Sequence, residues 1–186
     1  LQYLNRRSPL YINSPQPFLW SPQHPEYVIL PFMHYKDSIV GYMGRNIHVK
    51  EGAGRFIQKA PADYMFNQHL LSRGSGRYVI VTESPMEAVL LQGVGVRESR
   101  ITQKQINLLN NCGRIPILVP DQLVDESRPF LETAKTHGWM ISAPDFGGKD
   151  AGVSIQKKGL LWTLEQIMSE KTKDYGKTKF RMKKKD

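Results

Sequence analysis

From residue 78 onward, short apolar runs alternate with stretches of helical spacing, and this alternation constrains the fold more than any other feature. Tyr78-Val79-Ile80-Val81 and Ile115-Pro116-Ile117-Leu118-Val119 are short, apolar and rich in β-branched residues, so they read as buried strands; residues 139–143 read as a third. The stretches between them carry helix signals. Pro85 stands in the first turn of a helix over 85–91, and Thr102 with Gln105 forms a capping box for one running to Asn110. Gly138 closes a helix over 129–137, and Thr163 with Gln166 opens a last one ending near Glu170. Strands separated by helices predict an α/β fold, a parallel sheet covered by helices on both faces.

Upstream the rhythm differs. Pro9, Pro15, Pro17, Pro22 and Pro25 preclude regular helix and mark extended connections, with Tyr3 and Leu4 ending a helix before them. Phe18 and Trp20 are expected to tack this segment onto a neighbouring surface. Residues 27–32 and 39–43 flank the polar turn Tyr35-Lys36-Asp37-Ser38 and predict a hairpin, and Arg55-Phe56-Ile57 predicts another short strand. Helical spacing then covers 62–71 before Ser72-Arg73-Gly74-Ser75-Gly76 breaks the chain. The expected organisation is a small mixed α+β unit with antiparallel strands over 1–72, a parallel-sheet domain over 73–170 and a basic tail over 171–186.

With 186 residues, 40% of them hydrophobic, the chain suffices for one ordinary domain or two small ones with a real core. No apolar run approaches the roughly 20 residues of a membrane span, and no membrane partner is expected. A single cysteine, Cys112, precludes a disulfide framework or a cysteine-built zinc site and points to a reducing cytoplasm. Net charge is +9, of which residues 171–186 contribute +6. So dense a basic end fits a polyanionic partner such as nucleic acid, or a solvated tail. Leu1 in place of an initiator methionine reads as a fragment or a processed product.

Ligands of open α/β sheets collect beyond the carboxyl ends of the strands. Glu83 follows the strand over 78–81, Asp121 follows the one over 115–119, and Asp150 lies in the loop after 139–143. Any one of them alone is most simply a loop acid or a helix cap. Three at equivalent topological positions make an oxygen site suited to Mg²⁺ or Mn²⁺ and point to phosphoryl or nucleotidyl chemistry.

The residues from Tyr78 to Ala88, with Glu83 at their centre, resemble the glutamate motif of the TOPRIM domain shared by primases, topoisomerases and some nucleases. Val119-Pro120-Asp121 resembles the start of its Asp-x-Asp motif, and Lys149-Asp150 the Lys-Asp segment of DnaG-type and tailed-bacteriophage primases. Val40-Gly41-Tyr42-Met43-Gly44-Arg45 and Arg55-Phe56-Ile57 are similar to the primase segment that precedes this domain. The combined resemblance runs from about Tyr27 to Met168 and is nearest to the RNA-polymerase domain of bacteriophage DNA primases.

The resemblance implies a TOPRIM-like parallel sheet and template-directed synthesis of RNA primers in phage DNA replication. Its substrates would be single-stranded DNA and ribonucleoside triphosphates, with a replicative helicase as partner. Glu83, Asp121 and Asp150 match the family's catalytic metal-binding acids. Arg45, Arg55 and Lys149 match positions that contact nucleic acid or nucleotide, Arg55 standing where many relatives have lysine. The family's second Asp-x-Asp acid falls at Leu123, which cannot bind a metal; Asp125 or Glu126 takes its place if a short insertion shifts the loop. The acid after Lys-Asp falls near Gly152 or Val153 and is absent, as is the family's zinc module. The implied metal site is therefore thinner than the family pattern. Two alternatives stand beside the polymerase: a TOPRIM nuclease, which would not need the upstream Gly-Arg segment, and a non-catalytic nucleic-acid or replisome-binding module with a degenerate metal site.

Other features carry less. Gly93-Val94-Gly95 and Gly147-Gly148-Lys149 are too short for a phosphate loop. The histidines at 24, 34, 48, 69 and 137 lack ligand spacing, Ser84 reads as a helix-start residue, and Met86, Val89 and Leu90 as core.

Overall fold

The computed structural model describes residues 2–14, 18–34, 38–49, 52–73, 75–97, 100–121, 127–147 and 150–178. Helix α1 (Gln2–Arg7) and a tight helical turn at Pro9–Tyr11 lead into strands β1 (Leu19–Ser21), β2 (His24–Met33), β3 (Ile39–Asn46) and β4 (Phe56–Lys59). These four form one antiparallel sheet in sequence order. The hairpin read from sequence is β2 with β3, in a register that pairs Leu30 with Met43 and Val28 with Arg45. Phe18 meets Tyr11 edge-on at 5.6 Å, whereas Trp20 is 62% exposed and its Nε1 donates to the Pro25 carbonyl at 3.4 Å.

A short helix α2 (Leu70–Arg73) precedes the second sheet. It consists of β5 (Tyr78–Thr82), β6 (Val94–Gly95), β7 (Ile115–Val119) and β8 (Met140–Ile141), all parallel, in the order β6-β5-β7-β8. The crossovers carry α3 (Pro85–Leu91), α4 (Gln103–Asn110) and α5 (Arg128–His137), and α6 (Ala151–Lys158) and α7 (Leu160–Glu170) follow β8. The two-residue period of a strand sorts the core. Val79, Val81 and Leu118 face a cluster with Ile106, Leu109, Phe130 and Ala134, while Ile117 and Val119 face another with Val89, Leu90, Ile155 and Ile167. The sheet is thus covered on both faces, as expected. The second cluster also contains Leu30, Phe32, Met43 and Phe66, so the antiparallel sheet shares its core with α3, α6 and α7.

Local signals hold where they are strongest. Ser84 caps α3 by accepting from Met86 N, and Thr102 and Gln105 form the expected reciprocal box. Three expectations are corrected. The helical spacing over 62–71 becomes only α2, because Phe66 exchanges backbone hydrogen bonds with Gly95 (2.8 and 3.1 Å) and Asn67 takes a left-handed conformation at φ 58°. Helix α6 lies in what read as loop, started by Asp150. Helix α7 begins at Leu160 rather than Thr163, whose hydroxyl bonds the Gly159 carbonyl (2.9 Å) and pairs with Ser154 Oγ (2.8 Å) inside the fold. The basic stretch counted from Lys171 starts within the fold: Thr172 pairs with Ile141, and Tyr175 Oη donates to the Trp139 carbonyl at 2.7 Å.

Candidate active site

Parallel strands end on one edge, and their three acids meet there. Glu83 follows β5 directly, Asp121 stands two residues beyond β7, and Asp150 caps α6 after β8; all three line one cleft of about 290 Å³. The Asp121 N–H donates to Glu83 Oε1 at 3.1 Å, which ties the two strand ends together. Ser127, fully buried at the start of α5, places its hydroxyl against the same Glu83 oxygen and 2.8 Å from the Asp121 carbonyl. Asp150 Oδ1 accepts from Val153 N at 2.8 Å, so one oxygen of this acid serves as a helix cap.

A fourth acid, Glu87, joins them from the first turn of α3 and lines the same cleft. Burial, and then the nearby charges of Asp121 and Asp150, hold its carboxyl well above the usual glutamate range; a hydrogen bond with Asp121 acts in the same sense, and the Gly152 N–H partly opposes it. Glu87 Oε1 is buried and has no hydrogen-bond partner.

The antiparallel sheet supplies the opposite wall. Met43 pairs with Gln58 and Arg45 with Phe56, so these side chains lie on one face of β3 and β4, while Ile57 packs behind with Ile29 against Gly44. Arg55, Phe56, Gln58 and Met43 line the cleft, together with Tyr11 and Arg97. Arg97, just beyond β6, sits at φ 77° and reaches across: Nη2 donates to the Ala62 carbonyl at 2.9 Å and Nη1 to the Ala60 carbonyl at 3.4 Å. With the Gln58 amide oxygen turned toward it, Arg97 Nε donates there as well, at 2.8 Å.

Glu83, Asp121, Asp150 and Arg55 from the sequence reading therefore share one cleft. Arg45 does not line it. Its side chain is 7% exposed, its Nε donates to Tyr3 Oη (3.2 Å), and its guanidinium lies 4.7 Å from the centre of the Phe56 ring. Asp125, Leu123, Glu126 and Lys149 lie outside the described residues. Two cleft residues escaped the sequence reading. Glu87 carried a signal, an acid one helical turn beyond Glu83 in a helix of otherwise apolar residues; Arg97 carried none.

Whether these residues suit a divalent cation is a matter of donors and charge. The acids offer only hard oxygen ligands, and a nearby positive charge would offset the repulsion among Glu87, Asp121 and Asp150. Among the described residues no three acidic, histidine or cysteine side chains stand close enough to grip a metal directly. The set fits a cation that keeps several of its waters, as Mg²⁺ commonly does.

No protein-family model matches the sequence, and no curated protein matches it. Solved structures resemble it in fold. The zinc-binding and RNA-polymerase domains of Aquifex aeolicus primase superpose with a TM-score of 0.62 at 16% identity, over 87% of this chain and 46% of that one. A DnaG primase catalytic domain bound to single-stranded DNA gives 0.66 at 17% identity, over 92% and 71% of the two chains. The RNA-polymerase domain of Mycobacterium tuberculosis DnaG gives 0.64 at 13% identity, over 95% and 68%. The chain thus has the fold of DnaG-type primase catalytic cores, an antiparallel sheet beside a parallel sheet flanked by helices, and spans about half the length of the solved Aquifex chain.

Proposed function

We propose that this chain is the catalytic core of a primase-type nucleotidyltransferase, which joins ribonucleotides on a single-stranded DNA template. The observation that carries the reading is one cleft with four acids on one wall and Arg55 on the other, in a fold shared with primase catalytic cores. Glu83, Asp121 and Asp150, with Glu87 beside them, would hold Mg²⁺ or Mn²⁺ through water. Such a cation supplies charge neutralisation on phosphate oxygens and on the pyrophosphate leaving group. Ser127 and the Asp121 N–H keep the Glu83 carboxylate oriented. Arg55, across the cleft, offers a planar cation to the triphosphate of the incoming nucleotide. Asp125 as a further metal ligand and Lys149 as a contact to nucleic acid or nucleotide belong to the proposal, with a replicative helicase and a phage setting as its context.

The test is primer synthesis on single-stranded DNA with Mg²⁺ or Mn²⁺. Glu83→Gln and Asp121→Asn should reduce it to background, and Mn²⁺ should support more synthesis than Mg²⁺, because nitrogen and oxygen ligand sets bind it more tightly. No synthesis with either metal, even with a zinc module and a helicase supplied, would defeat the polymerase reading. The second reading, a nucleic-acid-binding module, rests on one observation: no three described acids grip a cation directly. It predicts DNA binding that is indifferent to Glu83→Gln and to divalent cations.

A further inference from the structure

We propose that Gln58 donates a hydrogen bond to an oxygen of the bound nucleotide, and that Arg97 is the positioning residue that turns it to do so. The inference rests on the nucleotide reading above and adds a neutral contact and the group that orients it. Gln58 is exposed on β4 and lines the cleft on the wall opposite the acids. A side-chain amide has two unlike ends, an acceptor oxygen and a donor NH₂ group, and whatever holds one end decides which is left for a ligand. The Arg97 guanidinium carries donors only, so it takes the oxygen: Nε donates to it at 2.8 Å, and Nη1 donates to the same atom. The NH₂ group lies on the other branch of the amide plane and meets no acceptor among the described residues. Oxygens of a nucleotide, on its phosphates, sugar or base, supply the acceptor that this group lacks.

Arg97 is itself held in place. Its Nη2 donates to the Ala62 carbonyl at 2.9 Å, its Nη1 lies 3.4 Å from the Ala60 carbonyl, and its guanidinium stands 5.8 Å from the centre of the buried Phe32 ring. The grip on Gln58 therefore has a fixed base in the backbone just beyond β4. The φ of 77° at Arg97 strains any residue with a Cβ, and strain of this kind in a non-glycine residue clusters at functional sites. A donor fixed before the ligand arrives loses little freedom on binding.

Gln58→Met keeps a long, unbranched side chain and removes the amide; Arg97→Lys keeps the charge and removes the two-nitrogen grip. Binding of Mg²⁺-ATP and Mg²⁺-tripolyphosphate to the full chain, to each variant and to the double variant, followed by calorimetry, separates the possibilities, with melting temperatures showing that each is folded. Gln58→Met should weaken Mg²⁺-ATP about three- to tenfold, as loss of one neutral hydrogen bond does. An equal loss with tripolyphosphate assigns the acceptor to a phosphate, and an unchanged tripolyphosphate affinity assigns it to the sugar or base. Arg97→Lys should also weaken Mg²⁺-ATP, but should add nothing once residue 58 is changed, because Arg97 acts through Gln58. Arg97→Gln takes its place in the cycle if Arg97→Lys does not fold. Unchanged Mg²⁺-ATP affinity in Gln58→Met would overturn the inference. So would losses that add in the double variant, the mark of an arginine that touches the ligand or props the cleft wall independently of Gln58. If the unaltered chain binds neither ligand with Mg²⁺, the nucleotide reading of the cleft falls and this contact falls with it.

Discussion

Replacing Arg97 with alanine and, separately, with glycine should destabilise the protein unequally, with glycine the milder change. Arg97 ties the edge of the parallel sheet to the chain leaving β4, through the Ala62 and Ala60 carbonyls and the Gln58 amide. A hydrogen bond from a charged donor contributes about 1.5–3 kcal/mol. Of the two to carbonyls, only the 2.9 Å bond is well made; that at 3.4 Å is long. Loss of the set should cost about 2–3 kcal/mol in Arg97→Ala. The backbone at φ 77° costs a residue with a Cβ about 1–2 kcal/mol relative to glycine. Arginine and alanine both bear that strain and glycine does not, although glycine returns about 0.4–1 kcal/mol through its freer unfolded chain. Arg97→Gly should therefore be more stable than Arg97→Ala by about 0.5–1 kcal/mol. For a chain of this size each kcal/mol moves the melting temperature by about 2–4 °C, so thermal and urea denaturation followed by circular dichroism resolve the order. Alanine as stable as arginine would refute the bridge, and glycine below alanine would refute the strain.

Glu87→Gln bears on the buried acid cluster. Because the native state holds the Glu87 proton more tightly than the unfolded chain, its contribution to stability is full below the ordinary glutamate pKa of about 4.3 and is lost as pH rises through the raised native value. Glutamine does not titrate, so the variant should match the unaltered protein in acid and exceed it on the alkaline side; parallel melting curves across pH would show that Glu87 is not protonated in the fold. In Gly95→Ala the new Cβ would fall 2.9 Å from Pro85 Cα and 3.1 Å from Pro85 N, pressing on the start of α3 beside Glu83. Overpacking of this order costs about 1–3 kcal/mol, measurable as a lower urea midpoint at unchanged slope; an unmoved midpoint would show that α3 yields freely. Asp150→Ala should lose about 0.5–2 kcal/mol with the cap on α6, whereas Asp150→Asn keeps the cap and removes only the charge. Asparagine should therefore retain the melting temperature while weakening Mg²⁺ binding in a titration, and equal melting losses in both variants would refute the separation.

Much of this protein was written locally. β5 and β7 follow from two short β-branched runs, and their alternation already sorted Val79 and Val81 from Ile80. The starts of α3 and α4 follow from Ser84-Pro85 and from the Thr102–Gln105 pair, since a cap is a bond between residues two or three positions apart. Once those strands are parallel, their carboxyl ends share an edge, and Glu83 and Asp121 come together with no further information. Composition could not foretell what the second sheet would do when folded against the first. Arg45 has the spacing of a hairpin-end cation, yet Tyr3 and Phe56 enclose it. Residues 62–71 have helical spacing, yet Gly95 takes the Phe66 hydrogen bonds into a bridge. Glu87 has only its place in an apolar helix to mark it locally, and its carboxyl is held well above the usual glutamate range because the fold buries it and brings Asp121 and Asp150 against it. Arg97 spans the cleft to partners 35 and 37 residues earlier in the chain. Spacing and capping act over a turn or a strand, whereas burial, charge proximity and cross-sheet hydrogen bonds depend on distances that exist only after the chain has closed on itself.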